Sequence, residues 1–357
     1  MSDPIVQHED LRHSTQFLDL YTPPQIDGDF TRKHIISVNQ FQRNDLQILF
    51  DATLSLRKRL KQHDRGLLHL SAGYVMATLF YEASTRTDLS FQAAMRHLGG
   101  EVVAASNGVR FSSIYKGENL ADTVRAVGCY ADVIVLRHPD VGSSYEAAYY
   151  VDRLRTQIMR DPVIISGGDG VGEHPTQALL DMFTIFDCKD RIDDLTITLV
   201  GDLKHGRTVH SLARLFARYE AQNSVLNLVS PDALRMPADL VSFVRERGIE
   251  VHETDQIHDV IGTSDVIYWT RIQEERFDAP ADYDAIKDDF IMTPSLLAEA
   301  KEDAILMHPL PRKHEMGTPA DHDALDADPR AVYFRQMENG MVVRMALLAK
   351  VLGGLWV

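Results

Sequence analysis

Apolar and polar positions switch between two periods along this chain, and the switch repeats. Tyr74-Val75-Met76-Ala77-Thr78-Leu79 is a nearly unbroken apolar run of strand length, as a strand covered on both faces requires. Beyond it Phe91, Ala94, Met95 and Leu98 recur at helical spacing, and Gly99-Gly100 supplies the backbone freedom of a helix stop. Ahead of it, Leu46, Leu49, Phe50, Thr53, Leu54 and Leu60 predict a helix from Asn44 to Lys61. Strand signals follow at Glu101 to Ala105, Asp132 to Leu136 and Pro162 to Ser166. A helix carrying Leu120, Val124, Val127 and Ala131 separates the first two, and another runs to about Asp187. After a polar break at Lys189 to Asp194 the alternation restarts, with strands predicted at Leu195 to Val200, Val225 to Val229, Asp265 to Trp269 and Ala304 to Met307. Helices are predicted at Thr208 to Tyr219 and Ala238 to Arg247. The expected fold class is therefore α/β: two doubly wound parallel-sheet domains with the active site in the cleft between them.

Composition narrows the class. A chain of 357 residues, 45% hydrophobic and 25% charged, is long enough for two ordinary domains and has the balance of a globular protein. A formal net charge of −15 argues against nucleic acid or an anionic membrane as partner. Anionic substrates would have to be held by local cations that reverse this field. Cys129 and Cys188 form neither a disulfide framework nor a zinc motif, so the expectation is a reducing, cytoplasmic setting without metal. Residues 1–30 carry six acids against Arg12 alone and fit neither a signal nor a transit peptide, and they read as a loosely ordered extension. Met341 to Val357 is apolar but interrupted by Arg344 and Lys350, too short to span a bilayer, and reads as an amphipathic closing helix.

The strongest chemical signal is Ser84-Thr85-Arg86-Thr87, placed where a strand hands over to the first turn of a helix. Free backbone N–H groups, the positive helix end, three hydroxyls and a guanidinium together make a receptor for phosphate or a similar dianion. Arg86, Arg137, His174, Arg207, Arg271 and His308 each come shortly after a predicted strand, the side of such sheets on which ligands bind. Several cations on one crevice suit substrates rich in carboxylate and phosphate. Other motifs fall short. Gly168-Asp169-Gly170-Val171-Gly172 has its third glycine too early for a dinucleotide fingerprint, and Gly201 to Thr208 has arginine where a Walker loop needs lysine. His308, His314 and His322 with Glu315, Asp321 and Asp323 match no standard metal spacing and read as a polar loop. G-x-S-x-G is absent, which removes the usual hydrolase elbow.

Taken in order, Ser84-Thr85-Arg86-Thr87, Lys116-Gly117-Glu118, Arg137-His138-Pro139, His174-Pro175-Thr176-Gln177, Gly206-Arg207-Thr208, Thr270-Arg271-Ile272-Gln273 and His308-Pro309-Leu310-Pro311-Arg312 closely resemble the aspartate carbamoyltransferase catalytic chains. The resemblance runs from about Lys33 to the C-terminus. It implies transfer of the carbamoyl group of carbamoyl phosphate to the amine of L-aspartate, in pyrimidine biosynthesis, with no cofactor. By this resemblance Ser84, Thr85, Arg86, Thr87 and Arg137 hold the phosphate, and Thr87, Arg137 and His174 face the carbonyl oxygen. Arg86, Thr87, Arg137 and His174 are the implied catalytic residues. Gln177 and the carbonyls of Pro309 and Leu310 take the carbamoyl amide, with Leu310-Pro311 a cis bond. Arg207 binds the α-carboxylate of aspartate, and Arg271 and Gln273 its side chain, with Lys116 also reaching aspartate. Ser112 and Lys116 resemble residues lent to a neighbouring subunit's site, which implies a homotrimer. A larger assembly with regulatory chains or a pathway enzyme stays open.

The implied organisation is a carbamoyl-phosphate-binding domain over 31–173, completed by a C-terminal helix over 336–357, and an aspartate-binding domain over 174–335. Ornithine carbamoyltransferases resemble the same architecture, but Arg271 would repel an ammonium side chain and attract a carboxylate. The sequence also departs from the family's pattern. Asp88 adds a negative charge beside the phosphate stretch, Asn119 stands where Thr is usual, and Lys313 to Asp328 and Tyr145 to Arg160 look extended.

Overall fold

The computed structural model describes residues 13–105, 117–272 and 290–354. Short helix α1 (Phe17–Leu20) and long helix α2 (Arg43–Lys61) lead into the first βα alternation. This runs β1 (Val75–Phe80), α3 (Thr85–His97), β2 (Glu101–Ala104), α4 (Leu120–Gly128), β3 (Val133–His138), α5 (Ser143–Leu154) and β4 (Val163–Asp169), then α6 (Pro175–Lys189). The second alternation runs β5 (Thr196–Val200), α7 (Arg207–Tyr219), β6 (Val225–Val229), α8 (Ala238–Glu246), β7 (Glu250–Thr254) and β8 (Val266–Trp269). It continues through α9 (Pro294–Leu297), β9 (Ile305–Met307) and α10 (Pro319–Asp326) to the closing helix α11 (Tyr333–Val351).

The strands form two parallel sheets, of order β2-β1-β3-β4 and β7-β6-β5-β8-β9. Parallel strands need crossovers and so are covered on both faces, which is why they read as apolar runs rather than alternating ones. The two faces are nonetheless distinct. Val133, Val135, Val163 and Ile165 join a large central core that also contains Ile197, Leu199, Leu226 and Leu228 of the second sheet. Ile134, Leu136 and Ile164 face a separate core with Phe17 and Val151, and Ile267, Trp269 and Leu306 a third with Tyr333. The central core also takes residues from α2, α3, α6, α7, α8 and α11.

Three expectations change. Residues 13–30 are packed rather than loosely ordered: Phe17 is fully buried against Tyr149 and Tyr150, Ile26 is buried, Ser14 Oγ donates to Glu146 at 2.6 Å, and Tyr21 Oη to Asp152 at 2.7 Å. A few anchoring side chains outweigh the acidic composition. Helix α11 is not amphipathic over Val342 to Ala349, where every residue, Arg344 included, is buried, because it packs among α2, α3 and α6. The stretch read as a polar loop holds α10, whose N-cap Thr318 accepts from the Asp321 backbone N–H. Strand β7 has no strand signal in the sequence, because on this sheet edge only Val251 is buried.

Candidate active site

In both sheets the chain order reverses at one point, between β1 and β3 in the first and between β5 and β8 in the second. Connections leave such a point in opposite directions and open a crevice at the carboxyl ends of the strands. The two crevices meet in one cleft of about 690 Å³. Its lining takes Ser84, Arg86 and Thr87 from the N-cap and first turn of α3, Arg137 from β3, His174 and Gln177 from the start of α6, and Arg207 from the start of α7. Arg271 follows β8, and His308, Pro309 and Leu310 follow β9. Thr85 is the N1 residue of α3 and is exposed. Ser112, Lys116 and Gln273, expected in the site, lie outside the described residues.

Local chemistry explains how the cations converge. Ser84 is the N-cap of α3 in an extended conformation, yet its hydroxyl makes no cap bond, which leaves the positive helix end for another anion. Gly168 sits at φ +111°, and a Cβ there would lie 3.2 Å from Arg137 Nη1 and 3.4 Å from both Arg207 Cζ and His174 Cδ2. The glycine in this segment thus serves side-chain convergence rather than a dinucleotide. Glu82 inserts its carboxylate between two guanidiniums, with Oε2 3.4 Å from Arg137 Nη2 and 3.8 Å from Arg207 Nη1, neither with hydrogen-bond geometry. Arg86 Nη2 donates to the Leu310 carbonyl at 2.9 Å. The Leu310-Pro311 peptide is cis.

Among the described residues that line the cleft, arginines outnumber carboxylates. Burial and then the neighbouring Arg207 bring the Arg137 guanidinium down to about 10, with Glu82 pulling the other way. Burial, Arg207, Arg137 and Arg344 hold His174 well below the usual histidine range, so its imidazole is neutral near pH 7. Arg137 Nε, Arg344 Nε and His174 Nδ1 are buried and have no hydrogen-bond partner among the described residues. Buried orphan groups of this kind concentrate where a ligand completes the network. Asp88, which the sequence places beside the phosphate stretch, is not among the cleft's lining residues, and its Oδ1 accepts from Gln92 at 2.8 Å.

Several neighbours of the site carry no sequence motif. Arg344, deep in α11, donates to Ser90 Oγ at 2.8 Å and to Thr176 Oγ1 at 3.4 Å, and its guanidinium lies over Phe91. Asp181, one turn beyond Gln177, is fully buried, and burial raises its carboxyl to about 7 against bonds from Gln336, Tyr268 and Gln177. His308 Nδ1 accepts from the Leu310 N–H at 2.8 Å, which puts the ring proton on Nε2, 3.1 Å from Glu315 Oε1. Glu315 is thereby a brace for the 308–310 loop. Among the described residues no group of three or more His, Cys, Asp or Glu side chains could hold a metal ion, and no helix is long and apolar enough to cross a membrane.

Known proteins share this architecture. Residues 33–187 match the family described as aspartate/ornithine carbamoyltransferase, carbamoyl-P binding domain, and residues 193–351 the one described as its Asp/Orn binding domain. The multifunctional protein pyr1-3 of Dictyostelium discoideum is 48% identical over 327 residues, which are 92% of this chain but 14% of that protein. The aspartate carbamoyltransferase catalytic subunit of Methanocella arvoryzae is 44% identical over 326 residues, 91% of this chain and 99% of the relative. Among solved structures, aspartate transcarbamoylase of Trypanosoma cruzi in complex with N-(phosphonacetyl)-L-aspartic acid superposes with a TM-score of 0.81 at 42% identity, covering 93% of this chain and 99% of that one. The same enzyme with carbamoyl phosphate and aspartate gives 0.81 at 41% identity, covering 93% and 100%. With both domains matched in order and a nearly full-length relative at 44% identity, this chain belongs to the aspartate carbamoyltransferases of the aspartate/ornithine carbamoyltransferase family.

Proposed function

We propose that this chain transfers the carbamoyl group of carbamoyl phosphate to L-aspartate, giving N-carbamoyl-L-aspartate and phosphate for pyrimidine biosynthesis. The observation that carries the reading is the meeting, in one cleft, of cations from the switch points of both sheets. One crevice offers a helix N-terminus with Arg86, Thr87 and Arg137, suited to a phosphate. The other offers Arg207 and Arg271, suited to a dicarboxylate.

In this reading Ser84, Thr85, Arg86 and Thr87 hold the phosphate with Arg137, while Thr87, Arg137 and neutral His174 donate to the carbonyl oxygen. Gln177 and the carbonyls of Pro309 and Leu310 accept from the carbamoyl amide. Arg207 takes the α-carboxylate, and Arg271 with Gln273 the side chain. The neutral amine of aspartate attacks the carbonyl carbon, a C–N bond forms, the C–O bond to phosphate breaks, and the departing phosphate takes the amine proton. Charge develops first on the carbonyl oxygen and then on phosphate, where fixed donors lower the barrier. This chemistry calls for neither cofactor nor metal.

The finer organisation belongs to the same proposal. Residues 31–173 with 336–357 form the carbamoyl-phosphate domain and 174–335 the aspartate domain. Ser112 and Lys116, the latter reaching aspartate, serve a neighbouring subunit's site, so the active unit is a homotrimer in the cytoplasm. The chain spans 14% of the multifunctional relatives and 99% of the catalytic-subunit relatives, which supports assembly with a pathway enzyme or with regulatory chains.

A colorimetric assay for carbamoyl-aspartate tests the activity. Product should appear with aspartate and not with ornithine, and Arg271→Met should raise the KM for aspartate at least tenfold. No product from purified protein, or equal use of ornithine, overturns the reading.

A further inference from the structure

Gln177 can turn either end of its amide toward the cleft, and the two ends would select different ligands. With the carbonyl oxygen inward it accepts from an –NH2 group, and with the nitrogen inward it does not. The structure fixes the choice through residues that do not themselves line the cleft. Gln177 Nε2 donates to Asp181 Oδ1 at 2.9 Å, and Gln336 Nε2 donates to the same oxygen at 2.6 Å. Gln336 is oriented from its other end, because its Oε1 accepts the His308 backbone N–H at 3.1 Å. Tyr268 Oη donates to Asp181 Oδ2 at 2.8 Å. Asp181, Gln336 and Tyr268 are fully buried, so no water competes for these bonds.

The direction of each bond follows from chemistry, not from which amide atom is labelled oxygen. A backbone N–H can only donate, so Gln336 must present nitrogen to Asp181 Oδ1, and that oxygen must accept. An Oδ1 that carries no proton can only accept, which obliges Gln177 to present nitrogen as well. The lock therefore belongs to the ionised carboxylate, because with Oδ2 accepting from Tyr268 a proton would sit on Oδ1 and would turn the Gln177 oxygen toward Asp181. Arg344 of α11 is the cation acting on this carboxyl.

We propose that Asp181, held by Gln336, is a specificity-positioning residue that locks Gln177 with its carbonyl oxygen toward the substrate and ties it to the 308–310 loop. The cleft then meets the substrate's amide with acceptors only: Gln177 Oε1 and the carbonyls of Pro309 and Leu310. It selects a carbamoyl –NH2 over a methyl group of the same size. This rests on the proposed carbamoyl transfer and names what enforces its choice of acyl phosphate.

The test compares carbamoyl phosphate with acetyl phosphate as donors to aspartate. Asp181→Leu removes the acceptor-only partner that fixes which end of the Gln177 amide faces the cleft, and should lower the ratio of their kcat/KM values at least tenfold, through the carbamoyl rate, with the acetyl rate within threefold of the wild type. Asp181→Asn retains an accepting oxygen and should keep the ratio within threefold. Gln336→Leu, which cuts the tie to His308, should lower the ratio in the same direction if Asp181→Leu does not fold. Equal loss of both rates in the folded leucine variants, or a lost ratio in Asp181→Asn, overturns the proposal as a merely structural role. Wild-type protein that makes no carbamoyl-aspartate would instead defeat the function on which the proposal rests.

Discussion

Arg86 donates to the carbonyl oxygen of Leu310 at 2.9 Å, joining the first turn of α3 to the loop after β9, 224 positions away in the chain. The bond spans the two sheets, so the phosphate receptor and the proposed carbamoyl acceptor are one mechanical unit. Arg86→Ala removes both the bond and a charge placed where the leaving phosphate gains negative character. It is expected to lower kcat about 100-fold or more, as the loss of one fixed donor to developing charge does. Steady-state kinetics with each substrate varied would check this, and near-normal kcat would contradict the electrostatic role.

His174 yields a pH prediction with a definite sign. Its folded pKa is depressed by burial and by Arg207, so its contribution to stability is present above the unfolded value of 6.5 and is lost as pH falls. His174→Gln should therefore lose less melting temperature than the wild type between pH 7.5 and 5.5. Comparison with the variant isolates this residue, because Asp169 and Asp181, raised by burial to about 6 and about 7, act in the opposite direction. Since the imidazole is held well below the usual histidine range, His174 should add no break to kcat/KM for carbamoyl phosphate between pH 6.5 and 8.

Phe17 tests the packing of the N-terminal segment. The ring is fully buried against Tyr149 and Tyr150 of α5, far in the chain from the cleft residues. Phe17→Ala should cost about 3 kcal/mol, as removal of a buried phenyl ring does. Denaturant unfolding would show the loss while kcat at 25 °C stays within twofold. An unchanged midpoint would mean that the segment contributes little to the fold.

The proposed sharing of sites between subunits is open to a mixing experiment. Arg86→Ala and Lys116→Ala chains, each inactive alone, should recover part of the activity after subunit exchange, because some mixed sites contain both wild-type residues. No recovery, with exchange shown independently by mass, would contradict the borrowed loop.

Much of this was legible in the sequence because it depends on local pattern. The apolar runs at Val133 to Leu136 and Val163 to Ile165 lie on strands because parallel strands are covered on both faces. Arg86, Arg137, Arg207 and Arg271 kept the phase of strand ends, and the switch points explain why they meet. What stayed hidden depends on tertiary position. Asp181 and Gln336 look like ordinary polar residues of two helices until those helices pack together around Tyr268. Arg344 interrupts an apolar run and so suggests a solvent face, yet it is buried over Phe91. Glu82 stands two residues before the strongest motif, but its place between two arginines exists only once both sheets are assembled.

Calorimetric titration with N-(phosphonacetyl)-L-aspartate tests most directly whether one cleft grips an anionic group from each sheet. The wild type should bind one molecule per chain, and affinity should fall at least 100-fold both in Arg86→Ala, at the phosphonate end, and in Arg207→Ala, at the carboxylate end. Undiminished binding in either variant, or no binding by the wild type, would contradict the account.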